Sequence, residues 1–288
     1  MKKILTICFS ALILCQSASA WGDLGHWTIG EVAQRHLTPK AARTLDKYLN
    51  GKKLACIASD ADKYRSYWVM DLGFIPTNPD YARVAFLKDF DRSQPLNISP
   101  WSHSITVNGD CIPYETDNLD GAYINNDCYY VTKLEKQLRE GAETMDPAER
   151  EKAIALIVHF IGDMHCPVHI VYLPDNPSKG KFNVSFKGKK MNYHSFWDGQ
   201  MFGGIQGGFG ELAYMVDTKS KKEIREISKG NVYDWAKDSA EKSRVVYDLV
   251  KPDSVIPDTF PYDHRDLLYS QLRNAGYRLA AELNAIFK

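Results

Sequence analysis

His159 and Asp163 stand four residues apart at the end of an apolar run, Ala153 to Ile161. On a helix that spacing puts both side chains on one face. A carboxylate buried there without a partner would be very costly. The pair alone fits two arrangements: a His–Asp hydrogen bond filling a polar pocket, or part of a metal site. The neighbours favour a metal. His165 and His169 follow at once, so the run His159–His169 holds three of the eight histidines in a chain of 288 residues. His194 and Asp198 then repeat the spacing. Imidazole plus carboxylate, without a matching set of thiolates, suits Zn²⁺ in a catalytic rather than a purely structural site.

The N-terminus adds a further ligand. Lys2 and Lys3 precede an apolar stretch, Ile4 to Cys15, and then Ala18-Ser19-Ala20. This is the pattern of a cleavable signal peptide, and the apolar stretch is shorter than the roughly 20 residues of a membrane span. Residues 1–20 are expected to be removed, leaving a mature chain that starts at Trp21, lacks a transmembrane segment, and is periplasmic or secreted. Its free α-amino group beside a backbone carbonyl is a two-point chelate, and His26 follows five residues on. Exported chains form disulfides. Cys56, Cys111, Cys128 and Cys166 remain, and Cys111–Cys128 is the preferred pair, with free buried thiols the alternative.

The elements that must position these residues are mainly helical. Helices are expected over about 23–36, from Thr38-Pro39 onward, 54–67, 128–138, from Asp146-Pro147 through the apolar run, 232–250 and 262–286. Phe182 to Tyr193 alternates about Lys187-Gly188-Lys189 and reads as a β-hairpin. Residues 71–125 and the Gly-rich 203–209 read as loop. No repeat or linker divides residues 21–288, so a single domain is expected. A balance of 36 basic and 36 acidic residues, with 44% hydrophobic content, excludes disorder and a bulk basic field for gripping long nucleic acid.

Trp21-Gly22-x-x-Gly25-His26, His159-Phe160-Ile161-Gly162-Asp163 with Pro167 and His169, and Asn192-x-His194-Ser195-x-Trp197-Asp198 together resemble the zinc-dependent single-strand nucleases of the S-one/P-one type. Ala275-Gly276-Tyr277-Arg278-Leu279-Ala280 is similar to that family's last helix. The resemblance covers essentially all of 21–288. It implies a mainly α, phospholipase C/nuclease-like fold with three zinc ions. One zinc would take Asp62, His103, His159 and Asp163. A second would take the amino group and carbonyl of Trp21, His26 and a bridging Asp163. The third would take His169, His194 and Asp198. His103 lies in Trp101-Ser102-His103-Ser104-Ile105-Thr106, and Asp62 lies three residues before Arg65.

Three zinc ions against the carboxylates of Asp62, Asp163 and Asp198 leave a positive site that favours a phosphodiester. Asp62 and Asp163 belong to the catalytic set. Arg65 is the candidate for stabilising the equatorial phosphate oxygens, with a surface salt bridge as its alternative. The implied activity is hydrolysis of single-stranded DNA or RNA and 3′-nucleotides by zinc-activated water, leaving 5′-phosphates, in a monomer without a stable protein partner. A zinc-dependent phospholipase C-like phosphodiesterase and a non-catalytic zinc-binding protein are the alternatives. Two departures bear on them. Asp60 stands where the family usually has Trp, and Ser104 and Thr106 stand where it usually offers an aromatic and an acid to the nucleobase. His165 is expected to orient Asp163 from behind. Tyr64, Tyr67 and Trp68 are read as packing residues before base-stacking ones.

Overall fold

Asp146 and Pro147 open the helix that carries the first His–Asp pair: the Asp146 carboxylate accepts from the amides of Ala148 and Glu149, and proline stands at the first helical position. The computed structural model describes residues 21–62, 103–119, 122–124, 126–173 and 182–288. Most of them are helical, as expected. The order is α1 (Asp23–Arg35), α2 (Pro39–Tyr48), α3 (Leu54–Ile57), β1 (Ile105–Val107), β2 (Asn118–Leu119), β3 (Ala122–Tyr123), α4 (Asp127–Gly141) and α5 (Pro147–Met164). A 3-10 turn (Pro167–His169) leads into β4 (Ile170–Tyr172), β5 (Asn183–Phe186) and β6 (Lys189–Asn192). The chain closes with α6 (Tyr193–Gly199), α7 (Phe209–Val216), α8 (Lys221–Ile227), α9 (Val232–Asp248), β7 (Val255–Ile256), α10 (Phe260–Asp263) and α11 (Arg265–Ile286).

Every residue of α5 from Ala153 to Met164 is buried, so the helix has no solvent face over that stretch. It is flanked by α1, α4, α9 and α11. The Thr38 side chain caps α2, and the Asn126 side chain caps α4. Thus the cores of these helices follow directly from local signals.

The β structure is less local. The hairpin β5–β6 forms as expected, with Lys187 and Gly188 at φ 48° and 73° in its turn. It also gains a third strand, β7, which pairs parallel to β5. The stretch 71–125 is not loop throughout. β1 runs parallel to β4, pairing Ile105 with Ile170, and β2 pairs with β3. The expected helix 54–67 appears as α3 and a helical turn at residues 60–62, and its remainder lies outside the described residues. Helices α7 and α8 are additional to the expected set. No described helix is long and apolar enough to cross a membrane.

The expected Cys111–Cys128 disulfide does not form: Cys56, Cys111, Cys128 and Cys166 are all free thiols. Cys128 turns into the helical core, where its Sγ donates to the Val232 carbonyl, while Cys111 sits in the tight turn after β1.

A buried acid couples α11 to α4. Glu282 is 8% exposed and faces Glu135, which is itself paired with Arg139 at 2.6 Å. Burial, and then the charge of Glu135, push Glu282 from 4.5 up to about 7. The folded chain therefore holds this proton more tightly than the unfolded one. The stabilisation is full below 4.5 and is lost as pH rises through about 7. Glu282→Gln, which mimics the protonated acid, should stabilise the fold at pH 8 by about 1–3 kcal/mol and have little effect near pH 4.5. Melting curves of both proteins at the two pH values test this. An equal shift at both would rule out the titration.

Candidate metal centre

Asp163 lies at the convergence of α1, α5 and the segment before β1. Its carboxylate is fully buried and has imidazoles on two sides. Oδ1 is 3.1 Å from His26 Nε2. Oδ2 is 2.8 Å from His103 Nδ1 and 3.2 Å from His159 Nε2. The His26 and His159 rings stack 4.0 Å apart. His159 Nδ1 donates to the Ala58 carbonyl at 2.7 Å, which directs Nε2 into the cluster.

Asp62 completes this side, with Oδ1 3.7 Å from His103 Nδ1 and 3.9 Å from His159 Nε2. Of the two neighbouring acids it is therefore Asp62, not Asp60, that joins the histidines. Arg65, with Tyr64, Tyr67 and Trp68, lies outside the described residues.

Local sequence explains the second half of the centre. Pro167 cannot continue α5, so the chain turns through the 3-10 segment and brings His169 back, Nδ1 4.0 Å from Asp163 Oδ2. The Asn192 side chain caps α6 by accepting from the His194 amide. Helical spacing then sets His194 Nε2 3.1 Å from Asp198 Oδ2, while His169 Nε2 is 3.7 Å from Asp198 Oδ1. Trp21 is buried beside both halves. Its indole N–H donates to the Gly162 carbonyl at 2.9 Å, and the Gly22 amide donates to the Asp198 carbonyl at 2.8 Å.

Burial opposes ionisation of Asp163, but His159, His103 and His26 outweigh it and hold the carboxyl well below the usual range. Burial likewise works against Asp62 and Asp198, yet the facing imidazoles keep both carboxyls low. The histidines divide in proton affinity: His169, despite its burial, is raised by Asp198 and Asp163, as His159 is by Asp163. Burial holds His103 down at about 4 and lowers His26. His159, despite its burial, is raised to about 9 by the Asp163 charge. The Cys166 thiol is pushed well up by burial and by the neighbouring Asp198.

These side chains fit a cation. Three groups have ligand atoms within 4.8 Å of one another: His26, His159 and Asp163; Asp62, His103 and His159; Cys166, His169 and Asp198. Both ring nitrogens of His169 are buried without a well-formed hydrogen bond among the described residues. Asp198, 3.7 Å from Nε2, offsets part of the desolvation of this ring, and both nitrogens face groups that suit a shared cation.

Gly162 leaves room for His26: a Cβ there would lie 2.8 Å from His26 Nδ1, nearer than side-chain atoms approach. Gly162→Ala should therefore displace the ring. Metal affinity and activity should fall about 10–100-fold, the range for groups that orient a ligand. Metal titration together with a rate assay checks this, and unchanged affinity would show that the ring can shift without loss.

His26, Asp62, His103 and His159 gather about Asp163, and His169 and His194 about Asp198. His165 does not act as expected. Its Nδ1 donates to the Ile161 carbonyl of its own helix, and Nε2 accepts from Arg278 at 2.9 Å, away from Asp163. Arg278 in turn pairs with Asp238 at 2.9 Å, so this chain of contacts fixes the end of α5 against α9 and α11. Thr106 is buried within β1, and the Ser104 amide donates to Asp127 Oδ1. Ala58 and Gly162 carry no sequence signal of their own for these roles. Cys166 stands inside the His-rich run, but the signal-peptide pattern upstream points its type to disulfide chemistry instead.

The chain is 27% identical to nuclease P1 of Penicillium citrinum, covering 92% of this chain and 97% of that one. It is 25% identical to endonuclease 2 of Arabidopsis thaliana over 93% and 90% of the two chains. Nuclease S1 of Aspergillus oryzae (strain ATCC 42149 / RIB 40) is 24% identical over 99% and 98%. A family model described as S1/P1 nuclease matches residues 21–288. The chain thus belongs to the S1/P1 nuclease family and is a hydrolase of phosphoester bonds.

Proposed function

We propose that the protein is an exported zinc-dependent endonuclease that hydrolyses single-stranded nucleic acid to 5′-phosphorylated products, and 3′-nucleotides to nucleoside and inorganic phosphate. The observation that carries this is the two-sided carboxylate of Asp163, with Oδ1 toward His26 and Oδ2 toward His103 and His159. A carboxylate so placed is suited to bridge two cations.

One zinc would be held by Asp62, His103, His159 and Asp163. A second would be held by Asp163, His26 and the amino group and carbonyl of Trp21, and a third by His169, His194 and Asp198. Zinc supplies Lewis acidity, lowering the pKa of water toward neutrality and stabilising charge on phosphoryl oxygens. The Ala58 carbonyl fixes the tautomer of His159, and the stacked His26 ring limits its rotation. Burial of Trp21 against Gly162 holds the start of the mature chain beside the first two groups. Arg65 is assigned to the equatorial phosphate oxygens. In the reaction water adds hydroxide to phosphorus, the bond from phosphorus to O3′ breaks, and the proton goes to O3′. Residues 21–288 form one catalytic unit, and the segment 1–20 directs it to the periplasm or outside the cell.

Incubating the protein that starts at Trp21 with a single-stranded oligonucleotide, with and without chelator, tests the reading. Chelator-sensitive cleavage leaving 5′-phosphates is expected. A folded, zinc-loaded protein that leaves the oligonucleotide intact would overturn it. Turnover of phospholipid headgroups by that sample would mark a phospholipase C-like enzyme, and no turnover of any phosphodiester a zinc-binding protein without catalysis.

A further inference from the structure

Cys166 is the first residue beyond the α5 cap, and its amide donates to the Asp163 carbonyl at 2.8 Å. That bond holds the residue in place while Pro167 turns the chain. Its thiol is fully buried and points at the second half of the centre, with Sγ 3.6 Å from Asp198 Oδ1. Sγ, a ring nitrogen of His169 and a carboxylate oxygen of Asp198 lie within 4.8 Å of one another. Ligands on one zinc, with bonds of about 2.0–2.3 Å, are separated by no more than about 4.6 Å, so little adjustment is needed. His169 offers two buried ring nitrogens without a well-formed hydrogen bond among the described residues. A sulfur donor beside them is the one soft ligand in an otherwise nitrogen and oxygen centre.

We infer that Cys166 is a thiolate ligand of the third metal ion, alongside His169, His194 and Asp198. This rests on the zinc reading above and goes beyond its ligand set. On binding, the Sγ–H proton is released to solvent and the Sγ lone pair is donated to the cation. The thiolate would stand as a fourth protein donor to that ion, the one sulfur among the donors of the centre. The competing arrangement is a neutral thiol that donates its S–H to Asp198 Oδ1 and never meets the metal.

Cobalt(II) substitution of the purified protein separates the two. A thiolate on cobalt gives an intense near-ultraviolet charge-transfer band in addition to the visible bands of a nitrogen and oxygen site. The band is expected in the cobalt-loaded protein. It should persist in a variant carrying Cys56→Ser, Cys111→Ser and Cys128→Ser, and vanish in Cys166→Ser. Retention of one of the three ions should weaken at least about tenfold in Cys166→Ser. A protein that binds three cobalt ions and shows only the visible bands would overturn the thiolate ligand while leaving the metal centre standing. The wild-type spectrum decides between the two arrangements even if the serine variant fails to fold. A protein that binds no cobalt would overturn both the ligand and the zinc reading.

Discussion

Asp163→Asn should yield a folded protein that has lost nearly all activity and, on the three-zinc proposal, two of the three ions. The amide matches the carboxylate in shape but removes the charge that faces His26 on one side and His103 and His159 on the other. On that proposal both groups sharing Asp163 would lose their common ligand, whereas His169, His194 and Asp198 would keep their ion. The loss of transition-state stabilisation should be about 4 kcal/mol or more, roughly a thousandfold in rate. Metal analysis after dialysis and initial rates on an oligonucleotide measure both effects. A variant retaining three ions and normal turnover would show that Asp163 is an internal hydrogen-bond acceptor and no bridge.

Removing metal should be nearly as disruptive to the fold as that substitution is to catalysis. A ligand present at a thousand times its Kd stabilises the native state by about 4 kcal/mol per site. Each kcal/mol is worth about 2–4 °C in Tm for a chain approaching this size. Chelation should therefore lower Tm by roughly 10 °C or more. The buried carboxylate would then rely on protonated imidazole for compensation. His159 is placed to take that proton, since Asp163 raises it to about 9. Neutral imidazole binds metal and protonated imidazole does not. Metal uptake near pH 8 should therefore release a proton, and chelators should strip the protein more readily as pH falls. Calorimetry in buffers of different ionisation enthalpy, beside melting curves with and without chelator, reads both. A Tm indifferent to chelator would mean that protons and internal hydrogen bonds alone sustain the centre.

The parts legible in the sequence are those set by local chemistry. Asp146-Pro147 marks the start of α5, Thr38-Pro39 marks α2, and alternation about Lys187-Gly188 marks the hairpin. The His-x₃-Asp spacing places two pairs on helical faces, and the structure shows both pairs in contact. What escapes depends on partners distant in the chain. β1 is three residues long and owes its existence to β4, more than sixty residues on. β7 has only two residues and pairs with one strand of the hairpin, about seventy residues back. Helix α8 does carry a readable signal, the capping box of Ser220 and Glu223. The role of His165 is hidden because its partner, Arg278, arrives from the last helix. Cys166 lies in view inside the motif, yet only the folded arrangement shows Asp198 beside it.

The short parallel pairing of β1 with β4 governs which changes of chain length the centre can tolerate. His103 stands two residues before Ile105, and His169 one residue before Ile170, and those two isoleucines are opposite each other. Successive side chains of a strand point to opposite faces. Deleting Ser104, or adding one residue between His169 and Ile170, would turn an imidazole away from its partners. Lengthening the turn between α4 and α5 would leave both offsets intact. Insertions and deletions are thus sorted by where they fall against the ladder, and a loss of one residue can matter more than a gain of several.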